Sequence, residues 1–152
     1  MSCKESIRFS VIMIIQANLY IKRNDIFRSP FLKDELLEKQ FLSGFSYVDT
    51  PDQLRAWKEI SSDLSSPSPM DRLLCGDVGF GKTELAIRAA FRAVLSKKRV
   101  IVLAPTTILA GQLYSSFSAR LKSNAVSVEM VSRFRSRSAI SKIKKLVLEG
   151  KN

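Results

Sequence analysis

Short apolar runs alternate with amphipathic segments in the second half of the chain. The apolar runs are residues 72–75, 100–103 and 126–131. Runs of this length are typical of buried strands, and the third also alternates between apolar and polar residues. Segments with apolar residues at helical spacing follow the runs, and they are residues 84–95, 107–120 and 138–148. This order predicts an α/β fold in which a parallel sheet is joined by right-handed crossovers.

The first half of the chain predicts helices without strands between them. Residues 30–42 have paired apolar positions typical of a helix, which Pro30 is suited to open and Gly44 to end. A second helix is predicted over residues 50–60. Residues 61–69 are rich in serine and proline, so we expect a loop there.

Histidine is absent from the sequence, and its two cysteines, Cys3 and Cys75, lie far apart. The missing histidine excludes Ser-His-Asp triads, histidine general bases and histidine-ligated metals in this chain. The cysteines suggest neither a disulfide framework nor a zinc site, so we expect a reducing compartment, the cytoplasm. The apolar stretch at residues 9–21 is interrupted by Gln16 and Asn18 and is too short to span a bilayer, so no membrane is expected as a partner.

A glycine-rich segment lies between the first apolar run and its helix, and it matches the pattern G-x-x-x-x-G-K-[ST]. Its residues are Gly76, Asp77, Val78, Gly79, Phe80, Gly81, Lys82 and Thr83, and Glu84 follows them. Glycines let the backbone curl so that several N–H groups meet an anion beside the positive end of a helix. The lysine can reach the β- and γ-phosphates, and the threonine hydroxyl can join a Mg²⁺ shell. The segment and Glu84 therefore predict a site for a nucleoside triphosphate, ATP, with Mg²⁺; the alternative is a turn without a ligand.

The net charge is +11, and it is unevenly distributed along the chain. Residues 1–70 hold nine Lys or Arg and nine Asp or Glu, whereas residues 71–152 hold sixteen and five. An excess of this size favours a polyanionic partner, and nucleic acid is the commonest one. The alternative is a basic surface that is only solvated.

Gln53 is a candidate base-reading residue because its amide can both donate to and accept from the edge of adenine. Its position in the T-x-x-Q pattern that begins at Thr50 also fits a capping box, in which Thr50 and Gln53 cap the start of a helix. The two interpretations are compatible, since a cap also holds the amide in place.

Two further segments are candidate contacts for a nucleic-acid backbone. Thr106 and Thr107 open a helix after the second apolar run, where their hydroxyls suit either a phosphate or an ordinary cap. Arg133 and Arg135 flank an aromatic residue after the third run, which is typical either of phosphate and base contacts or of a solvated loop. Ligands of open α/β sheets bind outside the carboxyl ends of the strands, so we expect both segments on the side of the glycine-rich loop.

Taken together, these motifs resemble those of the superfamily 2 nucleic-acid motors and, among them, of the bacterial transcription-repair coupling factors. The matching residues are 50–53, 70–84, 89–91, 105–110, 112 and 132–136. A related branch-migration helicase shares the sequence of the glycine-rich loop, whereas residues 132–136 are more similar to the coupling factors.

The resemblance implies the architecture of a P-loop NTPase, with a RecA-like parallel sheet and flanking helices. Residues 1–29 stay unassigned, residues 30–70 form a helical lead-in with the adenine-reading motif, and residues 71–152 form the N-terminal part of an ATP-binding motor domain.

The resemblance also implies a function, that of an ATP-driven translocase on double-stranded DNA. Such a motor pushes a stalled RNA polymerase off a lesion and recruits an excision-repair factor through further domains. By position, Lys82 and Thr83 are the catalytic residues that hold the phosphates and Mg²⁺, and Gln53 reads adenine. The implied DNA contacts are Thr106, Thr107, Arg133 and Arg135.

The sequence also departs from that family. No apolar strand ending in an acid pair follows Thr83, although the family uses an Asp-Glu-x-Gln motif to hold Mg²⁺ and activate water. A second motor domain with its arginine finger has no counterpart either. We therefore expect a motor domain that is incomplete at its C-terminal end. It should bind ATP weakly at most and should not turn it over. It should also expose strand edges, which would lower its stability. The alternatives are part of a branch-migration helicase, or a nucleotide- and DNA-binding module without turnover.

Overall fold

A computed structural model describes residues 26–149 of the chain, apart from residues 46 and 134. Its helices are α1 (Glu35–Ser43), α2 (Pro51–Leu64), α3 (Lys82–Leu95), α4 (Thr107–Leu121) and α5 (Arg137–Glu149), with a 3₁₀ turn at Lys122–Asn124. None of the helices in this part of the chain is long and apolar enough to cross a membrane. Residues 1–25 of the unassigned N-terminal segment, and the apolar stretch within them, lie outside the described residues.

Helix α1 begins at Glu35, later than the predicted start at Pro30. The carboxylate of Asp34 accepts hydrogen bonds from the backbone N–H groups of Leu36 and Leu37, at 3.1 and 3.0 Å. These N–H groups have no partner within a helix that starts here, so a carboxylate at this position stabilises the start. The prediction for Pro30 was wrong because the cap lies four residues further along, at Asp34.

The capping predictions for α2 and α4 are confirmed. The Thr50 hydroxyl accepts from Gln53 N–H, and Gln53 Oε1 accepts from Thr50 N–H, which completes the capping box at the start of α2. Pro51 occupies the first helical position, where its missing N–H is not needed. At the start of α4, the Thr106 hydroxyl accepts from Leu109 N–H at 3.2 Å.

The three apolar runs predicted as strands carry no regular secondary structure in the described part of the chain. Much of their apolar surface is exposed, with Leu73, Ile101 and Leu103 at 86%, 82% and 89%. A strand is stabilised by hydrogen bonds to a neighbour and by a covered face. The parallel sheet is therefore not observed among residues 26–149 outside the two gaps, and it stays a prediction.

Helix α3 lies at the centre of the packing and separates two apolar clusters. On one side it packs against α1 and α4, where the rings of Phe41 and Phe91 stack with their centroids 4.2 Å apart. On the other side Leu85 packs against Ile60 and Leu64 of α2. Burying a side chain of this size stabilises a fold by about 1.5–3 kcal/mol. Because α3 begins inside the glycine-rich loop, both clusters hold the end of that loop in place.

An almost fully buried arginine, Arg92, joins α3 to the lead-in helices. Its guanidinium donates to both carboxylate oxygens of Glu38 on α1, at 2.7 and 2.6 Å. It also donates to the backbone oxygen and the hydroxyl of Ser61 on α2, at 3.1 and 2.8 Å, and it lies over the Trp57 ring. Forked pairing of this kind satisfies a buried charge that would otherwise be costly.

Candidate nucleotide site

The phosphate loop, residues 76–83, turns sharply before α3. Gly79 and Gly81 have φ angles of 84° and 79°, in the left-handed region that residues with a side chain rarely adopt. Phe80 N–H donates to the backbone oxygen of Asp77 at 3.3 Å, which closes a turn between them. The backbone thus curls at the glycines, as the sequence predicts.

The remaining loop residues differ in their exposure. Val78 stands at the tip and is fully exposed, and Asp77 is exposed beside it. The Phe80 ring lies beside Gly76, where an added Cβ would be 2.9 Å from a ring atom. Residues 76–79 are all exposed, and Phe80 is half-buried.

Lys82 folds back over the loop that precedes it. Its Nζ donates to the backbone oxygens of Gly76 and Asp77, each at 2.6 Å. An ammonium group has three donors, so one N–H remains for a further acceptor. The positive charge is thus held at the mouth of the loop, where an anion would meet it.

Thr83 and Glu84 follow in the first turn of α3 but face different surroundings. Thr83 is half-buried, whereas Glu84 is buried. The Glu84 carboxylate accepts from Arg88 Nε at 3.3 Å and from two nitrogens of Arg120, at 3.2 and 2.8 Å. Its backbone N–H donates to the Gly81 oxygen at 3.0 Å. The carboxylate of this predicted site residue is therefore engaged by arginines of α3 and α4.

The structure brings Gln53 directly onto the phosphate loop. Its Nε2 donates to the backbone oxygen of Phe80 at 2.6 Å, while its Oε1 accepts from Thr50 N–H at 2.8 Å. A Cβ on Gly81 would lie only 2.3 Å from Gln53 Nε2. An amide offers two N–H donors and two acceptor lone pairs, so one of each remains for a ligand.

The four candidate contacts for a nucleic-acid backbone lie outside the phosphate loop. Thr106 and Arg135 among them make local hydrogen bonds within the protein. Thr106 caps α4 and Thr107 is its first residue. Arg135 Nη1 donates to Glu129 at 3.1 Å, and both side chains are partly exposed. Arg133 is exposed two residues away.

Arg88 and Asp49 are residues of this region that the sequence analysis missed. Two nitrogens of Arg88 donate to the two carboxylate oxygens of Asp49, at 2.7 and 2.8 Å. Burial alone lowers the pKa of Arg88, but the hydrogen bonds and charges of Asp49 and Glu84 outweigh it, so the pKa is raised and the group stays charged. The helical spacing of Glu84 and Arg88 was a signal for part of this cluster, whereas nothing local pointed to Asp49.

Comparison with known proteins identifies the family. The family model described as DEAD/DEAH box helicase matches residues 50–150, from the cap of α2 through the phosphate loop to the end of α5. The chain belongs to the DEAD/DEAH box helicases. Membership of this helicase family implies a RecA-like P-loop fold for the matched residues.

This helicase chain is also similar to curated proteins named transcription-repair-coupling factor. It is 52% identical over 133 residues to that of Borreliella burgdorferi, 88% of this chain and 12% of the relative. It is 49% identical over 121 residues to that of Escherichia coli, 80% of this chain and 10% of the relative. For Bacillus subtilis the values are 47% over 119 residues, 78% and 10%. The resemblance to the coupling factors is confirmed, and the chain spans only about a tenth of these relatives' length.

Gly79 and Gly81, the two left-handed glycines of the phosphate loop, provide a matched pair of substitutions. Gly79→Ala should lower the free energy of unfolding by about 1–2 kcal/mol, because a Cβ strains this backbone conformation. Gly81→Ala should lose roughly 1 kcal/mol more, because the new Cβ displaces Gln53 from Phe80 O, whereas at Gly79 a Cβ meets nothing within 4 Å. Urea unfolding of the two variants measures the difference, and equal losses would show that the Gln53 contact contributes nothing.

Proposed function

We propose that this chain is part of the first motor domain of an ATP-driven translocase on double-stranded DNA, working in transcription-coupled repair in the cytoplasm. The observation that carries the proposal is the hydrogen bond from Gln53 to Phe80, because it joins a side chain suited to reading a base to a loop suited to holding phosphates. The names of the curated relatives support the repair role. RNA polymerase and an excision-repair factor are the proposed protein partners, through other domains of the full polypeptide.

The phosphate loop is proposed to hold the triphosphate of ATP. The remaining N–H of Lys82 and the loop amides around Gly79 and Gly81 supply the donors, and the start of α3 adds its positive end. Mg²⁺ bound with ATP neutralises phosphate charge, and the Thr83 hydroxyl is the ligand proposed from this chain. The described residues hold no group of three or more Cys, Asp or Glu side chains that could bind a metal by themselves, and Mg²⁺ in nucleotide sites usually keeps several waters beside the phosphate oxygens.

Gln53 is proposed to recognise the base through the two hydrogen-bonding positions that its present contacts leave open. Adenine presents the N7 acceptor and the N6 amino donor side by side. The second N–H of Gln53 and the second lone pair of Oε1 match these two groups. Because Thr50 and Phe80 fix which end of the amide is nitrogen, the match is specific to adenine.

Duplex DNA is proposed to bind along Thr106, Thr107, Arg133 and Arg135. Basic residues outnumber acidic ones in residues 71–152, which supports binding to the DNA phosphates. We also propose that the three apolar runs pair as the parallel sheet of the RecA-like fold, since that arrangement would cover their exposed side chains.

Thermal unfolding of the chain in the presence of Mg-ATP tests the nucleotide part. Because a ligand that binds only the folded state raises stability by mass action, the Tm should rise with Mg-ATP concentration and less with Mg-GTP. A Tm that is indifferent to both nucleotides up to millimolar concentrations would overturn this part of the proposal.

Arg135→Ala tests the DNA part. We expect weaker binding to duplexes of any sequence, with the slope of log K against log salt reduced by about one, because one phosphate contact is lost. The ion pair with Glu129 is partly exposed, so the unfolding free energy should change by less than about 1 kcal/mol. Salt-dependent fluorescence anisotropy with a labelled duplex gives both affinity and slope.

The matched control is Arg55→Ala on α2, which also removes an arginine from an exposed ion pair, here with Asp52. It lowers the net charge by the same amount at a site outside the proposed DNA surface. If Arg55→Ala and Arg135→Ala weaken duplex binding equally, only net charge matters and the assigned contact is wrong.

A further inference from the structure

Arg88 occupies a buried position one turn after the phosphate loop, and it connects α3 to the chain before α2. Its side chain is 3% exposed, and that of Asp49 is 17% exposed. The two parallel hydrogen bonds between them, at 2.7 and 2.8 Å, fix both the distance and the orientation of the carboxylate. The Phe45 ring lies 5.5 Å from the guanidinium carbon and helps to exclude water from the pair.

Asp49 immediately precedes the residue that sets the geometry of the base-reading amide. The next residue, Thr50, caps α2 and exchanges two hydrogen bonds with Gln53. Gln53 in turn donates to Phe80 in the phosphate loop. The contacts therefore form a closed path that leaves α3 at Arg88 and returns to the loop before α3 at Phe80.

A closed path of this kind restricts the orientation of the Gln53 amide. Guanine presents two acceptors, N7 and O6, at the edge where adenine presents an acceptor and a donor. An amide that is free to rotate could also turn its nitrogen towards O6 of guanine. When Thr50 holds the oxygen and Phe80 holds the nitrogen, the amide oxygen would face O6 instead. Two acceptors would then meet without a hydrogen between them.

We propose that Arg88 and Asp49 are positioning residues that hold Gln53 against the phosphate loop and thereby set the preference of this site for adenine over guanine nucleotides. The inference rests on the proposed function, because it assumes that the loop binds a nucleoside triphosphate. Neither residue contacts the nucleotide in this arrangement; both act through Thr50 and Gln53.

A second buried pair on the same helix provides the matched control. Arg92 lies one turn further along α3, is 1% exposed, and holds Glu38, which is 14% exposed, through two hydrogen bonds of 2.7 and 2.6 Å. This pair anchors α1 and has no contact with the capping box. Glu38→Gln therefore removes the same charge from the same kind of pair as Asp49→Asn, without releasing Gln53.

The experiment compares the dissociation constants of Mg-ATP and Mg-GTP for the chain and for these two variants. For Asp49→Asn, the dissociation constant of Mg-ATP should rise about tenfold and that of Mg-GTP by about twofold or less, because a correctly oriented base-edge pair is lost for adenine alone. For Glu38→Gln the ratio of the two constants should stay at the wild-type value. Arg88→Lys, which keeps the charge but loses the fork, should reduce the ratio as Asp49→Asn does. Equal weakening of both nucleotides in Asp49→Asn, or the same change of ratio in Glu38→Gln, would overturn the proposal.

A second measurement decides the positioning claim without any nucleotide. Hydrogen exchange of the Gln53 side-chain amide, observed by NMR in the nucleotide-free chain, should be slow in wild type and in Glu38→Gln and faster in Asp49→Asn. Unchanged exchange in Asp49→Asn would overturn the inference. If the wild-type chain binds neither nucleotide, the proposed function fails, and this measurement still shows whether Arg88 and Asp49 hold Gln53.

Discussion

Replacing Lys82 with alanine is expected to weaken binding of Mg-ATP to the chain by about 10- to 100-fold, because a hydrogen bond to a charged group contributes roughly 1.5–3 kcal/mol. Two of its ammonium hydrogens already bind the backbone oxygens of Gly76 and Asp77 within the loop. The group is therefore positioned before nucleotide arrives, and little of its binding energy is spent on ordering the side chain. Isothermal titration of the chain with Mg-ATP measures the loss.

The control for this prediction is Lys98→Ala, just beyond the other end of α3. Lys98 is exposed, and its substitution removes one positive charge without touching the loop. We expect its ATP affinity to stay close to wild type. Equal weakening by Lys82→Ala and Lys98→Ala would mean that the loop lysine acts only through net charge, and the phosphate site would be wrongly placed.

The second large effect is expected on stability, from Glu84→Ala. The Glu84 carboxylate accepts three hydrogen bonds from Arg88 and Arg120, whose side chains are 3% and 18% exposed. Removing it leaves two guanidinium groups in the interior with one anionic partner fewer. Breaking one side of a buried ion pair typically costs about 3–5 kcal/mol, out of a total stability of about 5–15 kcal/mol. We therefore expect a large fall in the urea midpoint.

Arg120 extends this effect beyond α3. Its guanidinium also donates to the Gly44 oxygen at 3.0 Å and lies over the rings of Phe41 and Phe45. Arg120 thus joins α4 both to Glu84 on α3 and to the lead-in segment. Glu59→Ala is the comparison, because Glu59 pairs with Arg72 at the surface and its loss should leave stability almost unchanged. If both variants unfold at the same urea concentration, the buried network does not stabilise the fold.

Features that depend on neighbouring residues could be predicted from the sequence. The curl of the phosphate loop needs glycine at left-handed positions, and Gly79 and Gly81 are at those positions. The caps at Thr50 and Thr106 need a hydroxyl three residues before the N–H that it accepts from. The start of α1 was predicted wrongly although it is also local, because proline and aspartate both favour helix starts and only one of them caps this helix.

Glu84 shows where local reasoning is insufficient. Its place beside Thr83 suggested a nucleotide-binding residue, and that role stays a prediction. The structure adds that the carboxylate is held by Arg120, 36 residues along the chain. No periodicity reports a pairing over that distance, since it depends on how α4 packs against α3.

Residue types at fixed spacing over a few positions were sufficient to predict the family, the curl at Gly79 and Gly81, and the capping box of α2. Helix packing was needed to bring Gln53 to Phe80, 27 residues away, and Arg88 to Asp49, 39 residues away. Contacts of that range form when helices pack and exclude water. The same packing makes the buried charges depend on one another, and it holds the Gln53 amide against the loop at Phe80.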